Sequence, residues 1–212
     1  MAALALGGCR ERAGAAPAAS VSTAPLPAPN AASSTAAMPP DAGTPEACPV
    51  GWTCDLYALD RRPPPEIHEI RVHKRAHRLF LVSGTTIVRS YAVALGYGGG
   101  GQKRFEGDAV TPIGTYTITG RLENTRWHTF LAVSYPNLDD QRRFAELKAA
   151  GSVPAGRGVG SGIAIHGHRV DQVDGLHKLI DWTLGCIALD NGEIDEVASL
   201  VRNGTRVVIT DD

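Results

Sequence analysis

Alternation of apolar and polar residues with a period of two dominates residues 69–135 and constrains the fold more than any other feature. The pattern is typical of β-strands that bury one face, because successive side chains point to opposite sides of a strand. It predicts strands at 69–74, 78–82, 86–95, 113–122 and 129–135, and apolar runs add strands at 163–166 and 205–210.

Two segments carry helical signals. Asp139 is the predicted N-cap of a helix over 139–150, in which Phe144 and Leu147 lie three residues apart. Asp190 and Glu193 form a predicted capping box at the start of a helix over 190–202. Many strands, few helices and no repeated strand–helix–strand order predict a mainly β sandwich or barrel with peripheral helices.

The composition changes near residue 48. Residues 13–47 are mainly Ala, Pro, Ser, Thr and Gly, with Asp41 and Glu46 as the only charged residues. Such a segment buries too little apolar surface to offset its ordering entropy, so a disordered tether is predicted over 10–47. A small cysteine-bracketed lead-in over 48–66 and one domain over 67–211 are predicted to follow.

Cys9 ends an apolar stretch that resembles a bacterial lipobox, in which the cysteine is acylated. Residues 1–9 are therefore predicted to be the remnant of a lipoprotein signal, with Cys9 as a membrane anchor. Only eight residues precede Cys9 and none after Met1 is charged, so an ordinary N-terminus with an incidental cysteine remains the alternative. The expected location is periplasmic, and Arg10, where inner-membrane retention is associated with aspartate, favours the outer membrane.

The other three cysteines divide into a close pair and a single residue. Cys48 and Cys54 bracket a short loop with two turn-forming residues, so a local disulfide is predicted. Zinc is the competing use of such a pair, but no second Cys or His pair follows at zinc-finger spacing. With Cys9 acylated, Cys186 is the one free thiol in a disulfide-permissive compartment, which requires an explanation.

Two classes of binding function are disfavoured. The formal net charge is −1, which does not suggest a general nucleic-acid-binding surface. The segment 96–101 contains five glycines, but it lacks the lysine pattern and following helix of a phosphate-binding loop. A mobile loop is predicted there instead.

Cys186 and His166 are the candidate reactive pair. Cys186 stands between a glycine and a short apolar run, and His166 ends another apolar run twenty residues earlier. A thiolate is the nucleophilic form of cysteine, and an imidazole can remove the proton that keeps sulfur inert. Packing is the common alternative for a lone cysteine, because free cysteine is among the most buried residue types.

Four ordered motifs between about residues 67 and 209 resemble the YkuD-type L,D-transpeptidase catalytic domain. They are Gly107-Asp108 followed by Thr111-Pro112-Ile113-Gly114-Thr115-Tyr116, then Ser134-Tyr135-Pro136-Asn137, Ile165-His166-Gly167 and Thr183-Leu184-Gly185-Cys186-Ile187. The resemblance implies a β-sandwich domain whose cysteine attacks the L-centre carbonyl of the diamino acid in a peptidoglycan stem tetrapeptide. D-Alanine leaves, and the thioester is passed to an amine on a neighbouring stem or on a protein.

The resemblance also implies roles for particular residues. Cys186 becomes the nucleophile and His166 its general base. The backbone N–H groups of Gly185 and Cys186 are candidate oxyanion donors, with Thr183 and Gly167 as further support for the site. Three aromatic side chains are candidates for the substrate groove, namely Tyr135, Trp182 and His128. Peptidoglycan stem peptides and, through Cys9, a membrane are the predicted partners, without nucleic acid.

Two departures from the family pattern leave the acceptor open. Leu184 replaces a histidine that is common two positions before the cysteine, and Ala188 replaces an arginine two positions after it. An L,D-carboxypeptidase that hydrolyses the same substrate is therefore one alternative. A non-catalytic wall-binding lipoprotein is another. A metal site formed by His168 and His177 with the reactive pair is disfavoured, and no cofactor is predicted.

Overall fold

The computed structural model describes residues 48–212, and the predicted signal remnant and tether lie outside these residues. The described part contains nine strands and two α-helices, with short 3-10 helices at Ala58–Asp60 and Leu176–Lys178. The strands are β1 Thr53–Cys54, β2 Glu69–His73, β3 Arg78–Ser83, β4 Thr86–Ala92, β5 Gly114–Thr125, β6 His128–Val133, β7 Ala164–His166, β8 Ile187–Ala188 and β9 Arg206–Thr210. The helices are α1 Leu138–Ala149 and α2 Asn191–Leu200.

The strands form one continuous sheet in the order β1-β4-β3-β2-β9-β5-β6-β7-β8. The twelve-residue strand β5 connects its two halves, because residues 114–117 pair with β9 and residues 118–125 pair with β6. Beyond β4, Ala94 exchanges two backbone hydrogen bonds of 2.8 and 3.0 Å with Ala188 at the opposite edge. The sheet thus closes on itself, and the prediction of a mainly β, barrel-like domain is confirmed.

The apolar residues of the predicted period-two alternation form the main core. Along β2, Ile70 and Val72 are fully buried, whereas Arg71 and His73 between and after them are partly exposed. The core continues across the closed sheet with Leu79, Leu81, Tyr116, Leu131, Ile165, Ile187, Val207 and Ile209. At about 25 cal/mol per Å² of apolar surface removed from water, this burial is the main stabilising contribution to the domain.

The lead-in segment covers the outer face of β3 and β4. Cys48 and Cys54 are joined by a disulfide, with their Cα atoms 5.8 Å apart, and β1 pairs in parallel with β4. A second, smaller apolar cluster forms there from Phe80, Val82 and Ile87 with Trp52, Cys54 and Leu56. The disulfide therefore stabilises the segment that shields this face of the sheet from water.

The two helices begin at reciprocal capping boxes. At α1 the N-cap is Asn137 and not the predicted Asp139, because the Asn137 side chain accepts from the Asp140 N–H at 2.9 Å and Asp140 accepts from the Asn137 N–H at 3.0 Å. At α2 the predicted pair is present, and Glu193 accepts from the Asp190 N–H at 3.0 Å. Among residues 48–212, no helix has the length and apolar character needed to cross a membrane.

Candidate active site

The pairing of β7 with β8 brings the two candidate reactive residues to neighbouring strands. The strands run in parallel, with Ile165 opposite Ile187 and His166 opposite Ala188. Cys186 directly precedes β8, and His166 is the last residue of β7. His166 is buried, whereas Cys186 is partly exposed. Two residues that are twenty positions apart in sequence thus lie on neighbouring strands, offset by two positions in the register.

Cys186 stands at the end of the turn 183–186, which the Thr183 side chain stabilises. The Thr183 Oγ1 accepts from the Gly185 N–H at 3.1 Å and donates to the Cys186 carbonyl at 2.7 Å. Gly185 has a φ of +128°, and a Cβ built on it would lie 2.8 Å from the Val110 carbonyl oxygen. Any larger residue at this position would be strained and would also displace the backbone at Val110.

This turn changes the predicted source of oxyanion stabilisation. The Gly185 N–H is a candidate donor, but it already donates to Thr183 Oγ1 at 3.1 Å. The Cys186 N–H remains the candidate, because it belongs to the residue on which the tetrahedral intermediate would form. The contribution of Thr183 is to fold the turn that presents the thiol.

Cys186 is a neutral thiol at rest. Burial raises its pKa, and a backbone hydrogen bond from Ala164 and the positive charge of Lys103 act in the opposite direction. The thiol donates to the Gly162 carbonyl at 3.6 Å. A neutral thiol is a poor nucleophile at pH 7, so a reaction at this sulfur requires a base.

His166 has the protonation state that a base needs. Burial lowers its pKa to about 4, so the ring is neutral at pH 7. Its Nδ1 lies 2.6 Å from the Gly167 carbonyl, and a ring nitrogen that faces a carbonyl oxygen must donate. The proton is therefore on Nδ1, and the lone pair is on Nε2. The Gly167 carbonyl fixes both the tautomer and the orientation of the ring.

Gly167 has a second structural role. A Cβ at this position would lie 2.3 Å from Asn191 Oδ1 and 3.1 Å from the Trp127 carbonyl oxygen. Asn191 Oδ1 itself accepts from the His168 N–H at 3.0 Å. The start of α2 therefore packs directly against the backbone that orients His166, and only glycine leaves room for this approach.

Three aromatic rings surround the imidazole. The Phe130 ring is parallel to that of His166 at a centroid distance of 6.0 Å, and the centroids of Trp127 and Trp182 lie at 5.2 and 5.9 Å. Trp182 had been predicted at the site, but Trp127 and Phe130 had not. The signal for Phe130 is its strand register, since it pairs with His166 across β6 and β7. These rings provide the low-polarity environment that keeps His166 neutral.

Two of the three predicted groove residues have other contacts. Tyr135 is a core residue and not an exposed wall, and its hydroxyl donates to the Val159 carbonyl at 2.8 Å. The Tyr135 hydroxyl therefore anchors the glycine-rich stretch 151–162 to the core. His128 is partly exposed, and its Nε2 pairs with Asp195 of α2 at 2.7 Å, which holds the ring against the helix. Contact with substrate stays a prediction for all three residues.

The two departures from the family pattern lie in different environments. Ala188 is fully buried in β8, and its backbone bonds to Ala94 close the sheet. A long charged side chain would have no space there. Leu184 is 68% exposed, two residues before the nucleophile. It gives the rim of the site an apolar side chain where a histidine is common.

A cluster of His168, His177 and Asp190 was tested as a metal site. Its three candidate ligand atoms lie within 4.8 Å of one another, whereas tetrahedral zinc with bonds of about 2.1 Å needs ligand atoms roughly 3.4 Å apart. His177 and Lys178 both bond to Asp190 at 2.8 Å, so the carboxylate is already neutralised. Burial disfavours the charged form of His168, but the Arg169 carbonyl and Asp174 outweigh it and raise its pKa, and each ring nitrogen faces one of these oxygen acceptors. The geometry favours a hydrogen-bonded network.

The domain thus combines a closed, mainly β fold with a cysteine and a histidine on neighbouring strands. The sequence model of the YkuD L,D-transpeptidase catalytic domain matches residues 67–209, and the chain belongs to this family. YqjB of Bacillus subtilis (strain 168), a protein named as an L,D-transpeptidase, is 27% identical over 158 residues, which are 74% of this chain and 79% of YqjB.

Solved structures with a similar fold include the helical cell shape determining protein Pgp2 from Campylobacter jejuni, at 24% identity and a TM-score of 0.48. The match covers 70% of this chain and 49% of Pgp2. The L,D-transpeptidase of Enterococcus faecium, as a C442S mutant, matches at 13% identity and a TM-score of 0.44, over 70% of this chain and 51% of that protein. The chain thus spans about half the length of the solved structures that it matches.

Proposed function

We propose that the protein is a peptidoglycan L,D-transpeptidase with Cys186 as nucleophile and His166 as general base. The observation that carries the proposal is the state of His166, which is neutral and held by the Gly167 carbonyl with its lone pair on Nε2. This free lone pair can accept a proton, and the strand next to that of His166 begins directly after the free thiol of Cys186. Membership of the L,D-transpeptidase family supports the same chemistry.

The first half of the reaction forms a thioester. His166 Nε2 takes the proton from Cys186 as Sγ attacks the L-centre carbonyl of the stem-peptide diamino acid. The Cys186 N–H stabilises the oxyanion. When the tetrahedral intermediate collapses, the bond to D-alanine breaks and the imidazolium gives its proton to the leaving amine. The products of this step are free D-alanine and an acyl-enzyme on Cys186.

The second half transfers the acyl group. An acceptor amine loses a proton to His166 as it attacks the thioester. When the carbon–sulfur bond breaks, the imidazolium returns this proton to the leaving sulfur, which restores both the thiol and the neutral histidine. Water competes at great excess, so transfer requires a groove that positions the amine. The segments 96–101 and 151–162 flank the turn formed by residues 183–186. The Tyr97 N–H donates to the Thr183 carbonyl at 3.1 Å, and the Cys186 thiol donates to the Gly162 carbonyl. We expect these segments to favour a second stem peptide, giving 3–3 cross-links or D-amino-acid exchange.

The location that we propose is the periplasm, with a lipid anchor at Cys9. Support comes from the Cys48–Cys54 disulfide, since disulfides persist in oxidising compartments. A tether of the length between Cys9 and Cys48 would let the domain reach the wall from a membrane. Metabolic labelling with a palmitate analogue, compared between the wild type and Cys9→Ala, tests the anchor.

The test of function is mass spectrometry of muropeptides after incubating the purified protein with tetrapeptide-containing sacculi. Cys186→Ser is the matched control, because it changes one atom of the nucleophile. Released D-alanine together with 3–3 cross-linked or D-amino-acid-exchanged products is expected from the wild type only. A carbapenem should add its mass to Cys186 in the same preparation.

Other outcomes would identify the alternatives. Tripeptide and D-alanine alone, even with abundant acceptor amine, would make the protein an L,D-carboxypeptidase. A folded protein that pellets with sacculi but yields no product and no carbapenem adduct would be a wall-binding protein without this activity.

A further inference from the structure

A buried ion pair lies in the loop 103–110, which packs against the turn formed by residues 183–186 (the nucleophile turn). The Lys103 side chain is 4% exposed and that of Asp108 9%, and the two join Nζ to Oδ1 at 2.6 Å. Removing two charges from water costs several kcal/mol per ion, and an apolar pair of similar volume is often as stable. Stability alone is therefore a poor explanation for this pair.

The ion pair is connected to Cys186 through packed backbone. Asp108 Oδ1, which accepts from Lys103, also accepts from the Val110 N–H at 3.0 Å. The Val110 carbonyl oxygen in turn lies 2.8 Å from the position of a Cβ on Gly185. These contacts lead from Asp108 through Val110 to Gly185, so the ion pair lies behind the residue that precedes Cys186.

The two charges of the pair have different surroundings. Asp108 Oδ2 accepts from the N–H groups of Arg104 and Phe105 at 2.6 and 3.2 Å, so backbone donors of its own loop stabilise the carboxylate. The Lys103 ammonium lies close enough to Cys186 to lower the pKa of the thiol against the effect of burial.

Other charged groups near the turn are exposed or already bonded. Arg104, Glu106 and Arg157 are exposed, so water and salt screen their charges. Asp181 accepts from the Leu95 N–H at 2.7 Å and pairs with His77 at 3.0 Å. His166 is the proton acceptor in the reaction itself.

We propose that Lys103 is a positioning residue for the reaction: its ammonium, held by Asp108 behind the nucleophile turn, stabilises the negative charge that develops on the sulfur of Cys186. The proposal rests on the proposed function only in taking Cys186 as the nucleophile. The proton still moves from Sγ to His166 Nε2, and Lys103 keeps all of its protons. Its positive charge favours the thiolate, because an opposite charge nearby favours the ionised form of a group.

The experiment is the pH dependence of Cys186 alkylation by iodoacetamide in the full-length protein, followed by peptide-level mass spectrometry. This measurement needs no substrate and no turnover. Lys103→Met should move the midpoint of alkylation to higher pH and slow the reaction at pH 7.5 by roughly 3- to 10-fold. Lys103→Arg should recover most of the rate, since it keeps the charge.

Asp108→Asn distinguishes an electrostatic role from a structural one. Removing the negative partner leaves Lys103 uncompensated, so the midpoint should move to lower pH, opposite to the effect of Lys103→Met. Lys74→Met is the matched control. Lys74 is also buried and donates to the Thr111 carbonyl at 2.8 Å, so its loss should lower Tm without moving the midpoint.

The double variant Lys103→Met/Asp108→Leu keeps the proposal testable if Lys103→Met does not fold. It replaces the ion pair with apolar side chains, and its midpoint should move in the same direction as that of Lys103→Met. An unchanged midpoint in a folded variant without Lys103, or equal shifts for Lys103→Met and Asp108→Asn, would overturn the proposal. A different result would separate the two proposals. If the alkylation midpoints shift as expected but the protein yields no muropeptide product, the proposed function fails, whereas the effect of Lys103 on the sulfur of Cys186 stands.

Discussion

The side chain of Thr183 donates a hydrogen bond of 2.7 Å to the backbone carbonyl of Cys186. The same oxygen accepts from the Gly185 N–H at 3.1 Å, so one hydroxyl fixes both peptide groups around the nucleophile. Residues 184–186 belong to no strand or helix, since β8 begins at Ile187, and the turn therefore depends on this side chain.

Thr183→Val should therefore reduce both stability and activity. Valine has nearly the same shape, but it leaves the Gly185 N–H and the Cys186 carbonyl without their partner, at a cost of about 1–3 kcal/mol. Urea unfolding and carbapenem acylation rates measure the two effects. Thr183→Ser keeps the hydroxyl and should stay close to the wild type. Equal losses for Val and Ser would assign the effect to packing.

Replacing the nucleophile or the base should separate chemistry from folding. Cys186→Ser should abolish D-alanine release and leave Tm nearly unchanged, because the volume change is small and the loss of nucleophilicity at neutral pH is large. His166→Ala should lower kcat by ~10²–10⁴. Release assays and circular dichroism on the same preparations provide the measurements. Turnover at the wild-type rate by folded Cys186→Ser would disprove the assignment of the nucleophile.

Stability should depend on pH through His166. Its pKa of about 4 in the folded protein lies below the ordinary value of 6.5, because burial disfavours the charged ring. Between these two values the unfolded chain binds a proton that the folded protein does not, so stability falls as pH decreases from 6.5 to 4. The full effect is roughly 3 kcal/mol.

Urea unfolding at several pH values, compared with His166→Gln, isolates this contribution. Burial also lowers the pKa of His177 in the folded protein, while the pKa of His168 is raised, but both residues are present in each protein and cancel in the difference. The variant should lose less stability than the wild type on acidification. Parallel pH curves would show that His166 is not buried as a neutral ring.

Alkylation under native conditions should modify Cys186 but not Cys48 or Cys54 in the oxidised protein. The latter two form the disulfide, so they should be labelled only after reduction. Reduction should also lower the free energy of unfolding by about 2 kcal/mol, as expected for a short closed loop. Labelling of Cys48 and Cys54 without reductant, in protein isolated from its native compartment, would contradict both the disulfide and the periplasmic location.

Tyr135→Phe should shift the products from transfer toward hydrolysis. The change removes only the hydroxyl that donates to the Val159 carbonyl, and so loosens the stretch 151–162 beside Cys186. Tyr91→Phe is the control, since it removes an equivalent buried hydroxyl that bonds to Glu196 at 2.8 Å on α2. The ratio of tripeptide to cross-linked muropeptide measures the effect. An equal change in both variants would rule out a specific role for Tyr135.

Local signals in the sequence determined most of the elements and the identity of the reactive pair. The period of two in β2 and the Asp190–Glu193 capping box are properties of neighbouring residues, so they can be read without a fold. At α1 the same rule selected Asp139, but Asn137 and Asp140 form the box because both of their side chains reach the helix start. His166 and Cys186 were found because each stands in a short ordered motif.

Only the tertiary structure decided how the site is assembled. Phe130 reaches His166 through the register of β6 and β7, and Val110 meets Gly185 through loop packing. Tyr135 turns into the core and Thr183 takes the Gly185 N–H, although both lie in the recognised motifs. These contacts join residues distant in sequence or depend on which side of a turn is buried. The sequence by itself determined which residues are candidates for the chemistry, whereas strand pairing and packing decided their protonation, orientation and hydrogen bonds.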